Sequence, residues 1–253
     1  MVTSNLIGGL GNYLFQIATT YSLALDNKDD VIYDAEKSVI VHNHISTYMD
    51  NILTNIPFGD VVSESEYQEP HFHYSPIPYT KNLKLNGYYQ SEDYFSHNRD
   101  KILELFSFKS DLINEKYGEI LNTKTCAIHV RRGNYLTLPN HHPVCTFDYY
   151  QQAISLMPKD CNFIVFSDDL EWCKNNFKGI DRKFYFIEGN TDYIDLLLMS
   201  KCDNNIIANS SFSWWGAWLN TSKSKLVVAP NKWFGNAINH NTNNLIPKTW
   251  IKL

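Results

Sequence analysis

The second half of the sequence predicts an α/β fold built on a doubly wound parallel sheet. Beyond Thr123, short apolar runs rich in β-branched residues alternate with segments of helical periodicity, and the connections between them are short. At 253 residues the chain can bury a substantial core, as one large domain or two compact ones. The predicted strands are 125–130, 162–167, 182–187, 205–208 and 225–229, and the predicted helices are 146–157, 170–176, 192–201 and 212–219.

The N-terminus predicts a strand, a glycine loop and a helix. The strand is placed at 5–7, the loop at Gly8–Asn12 and the helix at 13–25. The first-turn N–H groups and the helix dipole would face the loop, which is therefore a possible anion site. It does not match a dinucleotide fingerprint, because Leu14 stands where the third glycine belongs. The alternative is a tight turn that needs glycines.

Residues 31–95 have an irregular pattern with several prolines, which indicates a loop-rich surface that could face an acceptor. Leu85–Phe95 stands out as a strand that leads into a polar turn and then a helix through Leu105. Glu92 and Asp93 in this turn are candidates for a general base. The alternative is that they are helix-start carboxylates, favoured there by the dipole.

Composition and charge narrow the class of protein. The net charge of −5 argues against a general nucleic-acid binder, so any phosphate site must be local. The five cysteines are scattered, odd in number and never in a C-x-x-C pair, which favours reduced thiols over a zinc site or a disulfide framework. No signal peptide or membrane anchor is recognisable at the N-terminus, so we expect a cytoplasmic protein.

Anion-binding groups follow the first strand of the second half. Arg131, Arg132 and Gly133 come directly after the predicted strand end, where ligands bind in open α/β sheets. Arginine forks bind phosphate bidentately, and glycine lets backbone N–H groups approach a ligand closely. The alternative is a structural arginine pair at a domain seam.

Polar groups recur at later strand ends. Asp168 and Asp169 close one strand and could cap the next helix, and Asp192 and Asp195 open another helix. Asn209–Ser211 joins a strand to a helix, where serines either cap the helix or face a phosphate with its free N–H groups. Three tryptophans follow at helical spacing, which favours core packing over ligand stacking. They are Trp214, Trp215 and Trp218.

Several segments in a fixed order carry a family resemblance. They are Gly8–Gln16, Gly87–Glu92, His129–Tyr135, Phe166–Asp169 with Trp172, and Leu198–Cys202 running into Ile207–Trp218. Together they resemble the inverting α-1,2-fucosyltransferases of glycosyltransferase family 11. The resemblance implies a GT-B type α/β fold, in which two Rossmann-like domains face each other across a cleft. We place an acceptor-side domain at 1–120 and a nucleotide-sugar domain at 121–253.

The resemblance also implies a reaction and a set of site residues. L-fucose would pass from GDP-β-L-fucose to a galactosyl or related hydroxyl of a glycan, without a metal or other cofactor. Nucleic acid is not an expected partner, and membrane association would be peripheral at most. Arg131 would neutralise the pyrophosphate, Arg132 would support its loop, and His129 would orient the nucleotide side. The other implied donor-site residues are Gly9, Gly11, Asn12, Asn134, Asp168, Asp195 as a guanine partner, Ser210, Ser211 and Phe212.

The general base is left open between Glu92, Asp93 and His129. We take Arg131, His129 and Glu92 as the candidate catalytic residues. Two departures from the family pattern matter: Asn134 stands where the family has Asp, and Tyr13 stands where it has Gln. Asn134 cannot carry charge, although it can still form hydrogen bonds. The alternatives are therefore a family-related transferase that uses a different nucleotide sugar, and an inactive relative that binds a glycan or nucleotide.

Overall fold

A computed structural model describes residues 1–36, 38–40 and 43–253. The chain forms two compact α/β units. The first comprises Met1–Lys109 with His240–Pro247, and the second comprises Ser110–Asn239 with Lys248–Leu253. No helix in the described part of the chain is long and apolar enough to cross a membrane.

The first unit is built on short parallel strands around one long helix. Its main sheet has the order β1-β5-β4, and β2 pairs with β3. Two 3-10 turns, Glu92–Tyr94 and Ser96–Asn98, precede its last helix. Its elements are β1 Val2–Ser4, β2 Ile7–Gly8, α1 Leu10–Asp26, β3 Val39–Ile40, α2 Ser46–Met49, β4 Ser65–Gln68, β5 Leu83–Asn86 and α3 Arg99–Leu105.

The strand predicted at 5–7 is wrong in position. The chain pairs first at Val2–Ser4 and again at Ile7–Gly8, with Asn5 outside both strands. All three residues of β1 are buried, including the polar Thr3 and Ser4. Because two of its three residues are polar, this buried strand lacks the apolar run by which a sequence pattern would identify it. The helix predicted at 13–25 is confirmed, and the structure extends it at both ends to Leu10–Asp26.

The second unit contains a six-stranded parallel sheet in the order β11-β10-β9-β6-β7-β8. The strands predicted at 125–130 and 162–167 and the helix predicted at 192–201 match the structure, and the other predicted elements agree within two residues. Its elements are α4 Asp111–Leu121, β6 Thr125–Val130, α5 Phe147–Leu156, β7 Asn162–Ser167, α6 Leu170–Phe177, β8 Phe184–Phe186, α7 Asp192–Lys201, β9 Asn204–Ile206, α8 Ser211–Trp218, β10 Val227–Ala229 and β11 Ile251–Lys252.

The division into units differs from the boundary expected at residue 120. Helix α4 belongs to the second unit, where Tyr117 donates a hydrogen bond to Asn190 Oδ1 at 2.9 Å. The segment His240–Pro247 belongs to the first unit, where Ser91 donates to the carbonyl of Asn244 at 2.8 Å. Both contacts join residues far apart in sequence, so no local pattern reveals them.

Helices α7 and α8 pack closely, which makes a stability prediction possible. A Cβ at Gly216 would lie 2.8 Å from Met199 Cβ, whereas a Cβ at Gly118 in α4 would meet nothing within 4 Å. We expect Gly216→Ala to lower the free energy of unfolding by about 1–2 kcal/mol, because overpacking outweighs the better helix propensity of alanine. Gly118→Ala should raise it by up to about 1 kcal/mol. Urea unfolding of both variants measures this, and a stabilised Gly216→Ala would contradict the tight packing.

Candidate functional site

The sheet of the second unit has a point where its strand order reverses. From β6 the chain continues to β7 and β8 on one side, and β9 and β10 then lie on the other side. The loops that leave β6 and β9 therefore separate at the carboxyl ends of two neighbouring parallel strands. Open α/β sheets bind ligands in this crevice. The segments predicted to bind a phosphate, 131–135 and 209–212, both begin there.

Arg131 is held at this point by two oxygen atoms. Its Nη1 lies 3.0 Å from Asp168 Oδ2, and its Nη2 donates to Asn134 Oδ1 at 2.7 Å. The guanidinium carbon lies 5.5 Å from the ring centroid of Tyr135. The side chain remains 27% exposed. A guanidinium has five N–H donors, so this arrangement orients Arg131 and leaves donors for an anion.

Asp168 links the two arginines. While Oδ2 pairs with Arg131, Oδ1 accepts the backbone N–H of Arg132 at 2.8 Å. A Cβ at Gly133 would lie 2.5 Å from Asp168 Oδ2, so glycine is needed for this close approach. Each carboxylate oxygen of Asp168 therefore contacts one protein donor, so Asp168 orients Arg131 and its loop. Its place in the donor site stays a prediction.

Arg132 binds to the start of α6. Its Nε donates to Asp169 Oδ2 at 2.9 Å, and its guanidinium carbon lies 4.4 Å from the ring centroid of Trp172. The Arg132 hydrogen bond lowers the pKa of Asp169. Asp169 also caps α6 by accepting from Trp172 N at 3.1 Å, so of the two aspartates that could cap this helix it is Asp169 that does so. The second arginine thus anchors the loop that carries the first.

Tyr135 connects the two loops of the crevice, and the sequence does not single it out. Its hydroxyl donates to the carbonyl of Asn209 at 3.2 Å, and its ring stacks on His142 at 4.8 Å. Asn209 is itself buried and donates to the carbonyls of Pro143 and Trp233, both at 2.9 Å. In the sequence, the only indication of a role for Tyr135 and Asn209 is that they lie within the family-like segments His129–Tyr135 and Ile207–Trp218.

His129 lies near the end of β6 with its ring 5.5 Å from that of Phe212. It is 7% exposed, and its Nδ1 has no hydrogen-bond partner within the described residues. Burial, with a smaller contribution from the Arg131 charge, lowers the pKa of His129 to about 3. The imidazole is therefore neutral near pH 7, and its unsatisfied nitrogen marks a place where a ligand could form a hydrogen bond.

Helix α8 begins without a side-chain cap. Ser210 is its N-cap residue, but the Ser210 side chain accepts no hydrogen bond from the first turn. The capping role considered for Ser210 is therefore wrong. Ser211 and Phe212 form the first turn, whose N–H groups and helix dipole favour an anion. The tryptophans of the helix are buried as predicted.

Asp195 lies in the first turn of α7, within a polar cluster with α4. It accepts a hydrogen bond from Asn190 Nδ2 at 2.9 Å. Asn190 Oδ1 in turn accepts from Lys116 Nζ at 3.1 Å and from the hydroxyl of Tyr117 at 2.9 Å. Burial raises the pKa of Asp195 to about 6. The carboxylate is thus oriented by one amide and keeps acceptor capacity.

The glycine loop predicted at Gly8–Asn12 is wrong in extent, because Gly8 ends β2 and residues 10–12 already belong to α1. The short connection between β2 and α1 is held by an amide that the sequence does not single out. Gln16 is fully buried; its Oε1 accepts the N–H of Ile7 at 2.9 Å, and its Nε2 donates to the carbonyl of Gly87 at 3.0 Å. Gly9 is the N-cap residue of α1, and Gly11 is buried in its first turn. Asn12 accepts from Gln90 Nε2 at 2.9 Å. The connection between β2 and α1 and the Gly87 turn therefore form one hydrogen-bonded structure.

Glu92 begins the 3-10 turn after Ser91, which caps the turn by accepting from Asp93 N at 3.2 Å. Glu92 is half-buried. Burial lowers the pKa of Arg99, and the charge of Glu92 offsets part of this effect. Asp93 is exposed and accepts from Asn244 Nδ2 at 2.7 Å. Both carboxylates therefore have structural partners, and their role as a base stays a prediction.

Potential metal ligands do not cluster in the described part of the chain. No group of three or more His, Cys, Asp or Glu side chains among the described residues could hold an ion. The described cysteines are all free and buried. An activity assay with and without EDTA measures whether transfer depends on a metal.

The sequence matches known transferases along its whole length. The model described as Glycosyl transferase family 11 matches residues 1–253. The chain is 34% identical to the O-antigen biosynthesis glycosyltransferase WbnK of Escherichia coli, covering 99% of each protein. It is 29% identical to an alpha-1,2-colitosyltransferase of Escherichia coli, over 100% of this chain and 99% of the relative. With rabbit (Oryctolagus cuniculus) galactoside alpha-(1,2)-fucosyltransferase 2 the identity is 24%, over 87% and 67%.

Solved structures show the same fold at low sequence identity. The alpha-1,6-fucosyltransferase NodZ soaked with GDP-fucose aligns with a TM-score of 0.57 and 13% identity, over 86% of this chain and 91% of that one. A glycosyl transferase family 9 protein of Veillonella parvula aligns with a TM-score of 0.53 and 10% identity, over 100% and 86%. The expected α/β fold of GT-B type is confirmed. Because the family model spans the whole chain and a full-length relative is 34% identical, the chain belongs to glycosyl transferase family 11 and is a glycosyltransferase.

Proposed function

We propose that this chain is an inverting α-1,2-fucosyltransferase that uses GDP-β-L-fucose as donor and a galactosyl hydroxyl of a glycan as acceptor. The observation that carries the proposal is the crevice between β6 and β9. One wall of the crevice contains Arg131, which uses two of its five N–H groups on Asp168 and Asn134. The other contains the first turn of α8, to which the Ser210 side chain gives no cap. Both features attract the same kind of ligand, a doubly charged pyrophosphate.

This geometry suits the chemistry of sugar transfer from a nucleoside diphosphate. The acceptor oxygen forms a bond to the anomeric carbon while the bond from that carbon to the diphosphate breaks. The electron pair leaves with the diphosphate, whose charge increases in the transition state. Arg131 and the N–H groups at Ser211 and Phe212 would stabilise that charge without rearrangement. The acceptor proton would pass to a base, for which Glu92, Asp93 and His129 are candidates.

Guanine is the proposed base of the donor because of Asp195. A carboxylate accepts two parallel hydrogen bonds, and guanine presents N1–H and N2–H side by side. The Asp195 pKa of about 6 keeps the group mostly ionised near pH 7. The NodZ crystals were soaked with GDP-fucose, which supports a guanosine donor within this fold.

Asn134 bears on the identity of the sugar. Its Oδ1 holds Arg131 Nη2 at 2.7 Å, so the amide preserves the hydrogen bond and lacks only the charge of an aspartate. This favours a working site over an inactive relative. The second candidate function is colitosyl transfer, since one full-length relative is named an alpha-1,2-colitosyltransferase. Colitose is L-fucose without its 3-hydroxyl, and competition between GDP-fucose and GDP-colitose decides between the two donors.

A thermal-unfolding panel with GDP, UDP, CDP and dTDP tests the nucleotide. We expect GDP alone to raise the melting temperature strongly, because a ligand at ten times its Kd adds about 1.4 kcal/mol to the stability of the native state. Asp195→Asn is the matched variant, and it should reduce the shift caused by GDP more than it changes the other three. If UDP or dTDP stabilises the protein while GDP does not, the fucose proposal fails. Release of GDP from GDP-fucose only when a galactoside is present then separates a transferase from a binding protein.

A further inference from the structure

The first unit contains a cavity of about 400 Å³ that no role assigned so far explains. It lies where β1, β5 and β4 end, because its lining includes the residue after each of these strands: Asn5, Gly87 and Glu69. These carboxyl ends belong to neighbouring parallel strands of one sheet. The cavity therefore occupies the position in the first sheet where ligands bind in open α/β structures.

The lining is rich in hydrogen-bonding groups. Asn5 Nδ2 donates to Asn86 Oδ1, and Asn86 Nδ2 donates to Glu66 Oε2 at 3.1 Å. The amide of Gln68 and the carboxylate of Glu69 add further polar groups. Amides and carboxylates arranged in this way offer acceptors and donors to a ligand that carries many hydroxyl groups.

A tyrosine lies at the same cavity and is unusually exposed. Tyr88 is 42% exposed, in contrast to its neighbour Tyr89, which is fully buried. An aromatic ring in a polar cavity presents an apolar face beside hydrogen-bonding groups. A sugar has the matching combination, because its hydroxyls lie around the ring and its C–H groups form an apolar face.

The turn that carries Tyr88 is held in a strained conformation. Tyr89 has a φ of +51°, which is rare for a residue with a side chain. Glu69 fixes the turn by accepting the N–H of Tyr88 at 2.7 Å and that of Tyr89 at 3.0 Å. Gln16 holds the carbonyl of Gly87 at 3.0 Å from the other side. Strain maintained by several contacts is typical of functional sites.

The charge of the cavity restricts its ligand. Two of the lining residues, Glu66 and Glu69, are acidic, and none is basic. The nearby Lys84 is paired with Glu66 Oε1 at 3.4 Å. A carboxylate-bearing sugar would meet the carboxylates of Glu66 and Glu69, and like charges that lie close together repel.

We propose that this cavity binds an uncharged sugar unit of the acceptor glycan, with the Tyr88 ring stacked on the C–H face of the sugar. The inference rests on the proposed function in that it takes the acceptor to be a glycan. It adds a location for the sugar, a stacking residue, and discrimination against uronic and sialic acids. Glu69 is a positioning residue here, since it acts through the backbone of Tyr88.

Direct binding tests the site without any nucleotide. Saturation-transfer NMR on the full chain compares methyl β-galactopyranoside with its C6 carboxylate, which differs only in that group. We expect the neutral sugar to bind at least about fivefold more tightly. Tyr88→Ala should weaken that binding about tenfold, and Tyr88→Phe should retain it because the ring remains. Leu25→Ala, at a 38% exposed position of α1, is the matched control and should bind like the parent.

Glu66→Gln tests the discrimination. This substitution removes one negative charge. It keeps the shape of the side chain and an oxygen that can accept the hydrogen bond from Asn86 Nδ2. We expect the preference for the neutral sugar over its carboxylate to fall severalfold, with little change in the affinity for the neutral sugar itself. An unchanged preference would overturn the electrostatic part of the proposal.

Kinetics separates this inference from the proposed function. With lactose as acceptor, Tyr88→Ala should raise the acceptor KM about tenfold and leave the affinity for GDP, measured by thermal shift, as in the parent. If GDP and fucose transfer behave as proposed while Tyr88→Ala changes neither sugar binding nor KM, the cavity proposal alone is overturned. If the donor proves to be another nucleotide, the NMR result still decides whether the cavity binds a neutral sugar. Absence of methyl galactoside binding to the parent at any attainable concentration would overturn the proposal.

Discussion

Replacing Arg131 with methionine is expected to lower kcat/KM for glycosyl transfer by a factor of about 10² to 10³. Loss of one preorganised donor at a developing negative charge has an effect of this order in other enzymes. Methionine keeps the unbranched shape of the side chain while removing the charge and the hydrogen bonds to Asp168 and Asn134. Steady-state release of GDP from GDP-fucose with a saturating glycan acceptor measures the loss.

Two further variants show whether the loss of activity in Arg131→Met is specific to the guanidinium. Arg131→Lys retains the charge and loses the planar fork, so its activity should fall between those of the parent and of Arg131→Met. Lys124→Met removes an exposed cation of the same unit, which pairs with Asp160 at 2.8 Å, and should leave activity unchanged. Activity of Arg131→Met at the parent rate would remove Arg131 from the reaction.

His129 should make the folded protein sensitive to acid. Its pKa is about 3 in the folded state and about 6.5 in an unfolded chain, so between these values the unfolded state holds a proton that the folded state lacks. Stability is therefore complete above about pH 6.5 and falls by about 1.4 kcal/mol for each pH unit below it. From pH 6.5 to 5 the loss attributable to His129 is about 2 kcal/mol.

Urea unfolding near pH 7 and near pH 5 measures this loss. In His129→Gln and His129→Phe the difference in the free energy of unfolding between the two pH values should shrink by about 2 kcal/mol, whatever their absolute stability. Asp195 has the opposite sign: its raised pKa means that the folded state gains relative stability as the pH falls from about 6 towards 3.8. Asp195→Asn should therefore steepen the loss. A pH dependence unchanged in both His129 variants would show that His129 titrates normally.

The sequence predicted the second unit much better than the first. The strands after residue 123 are apolar and short, and their helices have clear periodicity, so local patterns identify them. In the first unit β1 is buried on both faces but includes Thr3 and Ser4, and its partner β5 lies about eighty positions later in the chain. Helix α4 and the segment His240–Pro247 join their units through long-range contacts. Patterns of neighbouring residues cannot report such contacts.

The candidate site also has features that the sequence predicts and features that only the structure shows. By itself the sequence determined which residue types stand at the strand ends. Arg131, Asp168 and the serines at the start of α8 could be recognised because charge and helix-start chemistry depend on local order. Only the tertiary structure decided that Asp168 orients Arg131, that Tyr135 joins the two loops, and that Glu69 holds the Tyr88 turn. These roles depend on which parallel strands lie side by side, because the residues involved are far apart in the sequence. Strand pairing is set by burial of the whole sheet, so contacts between distant segments form only once the strands have paired.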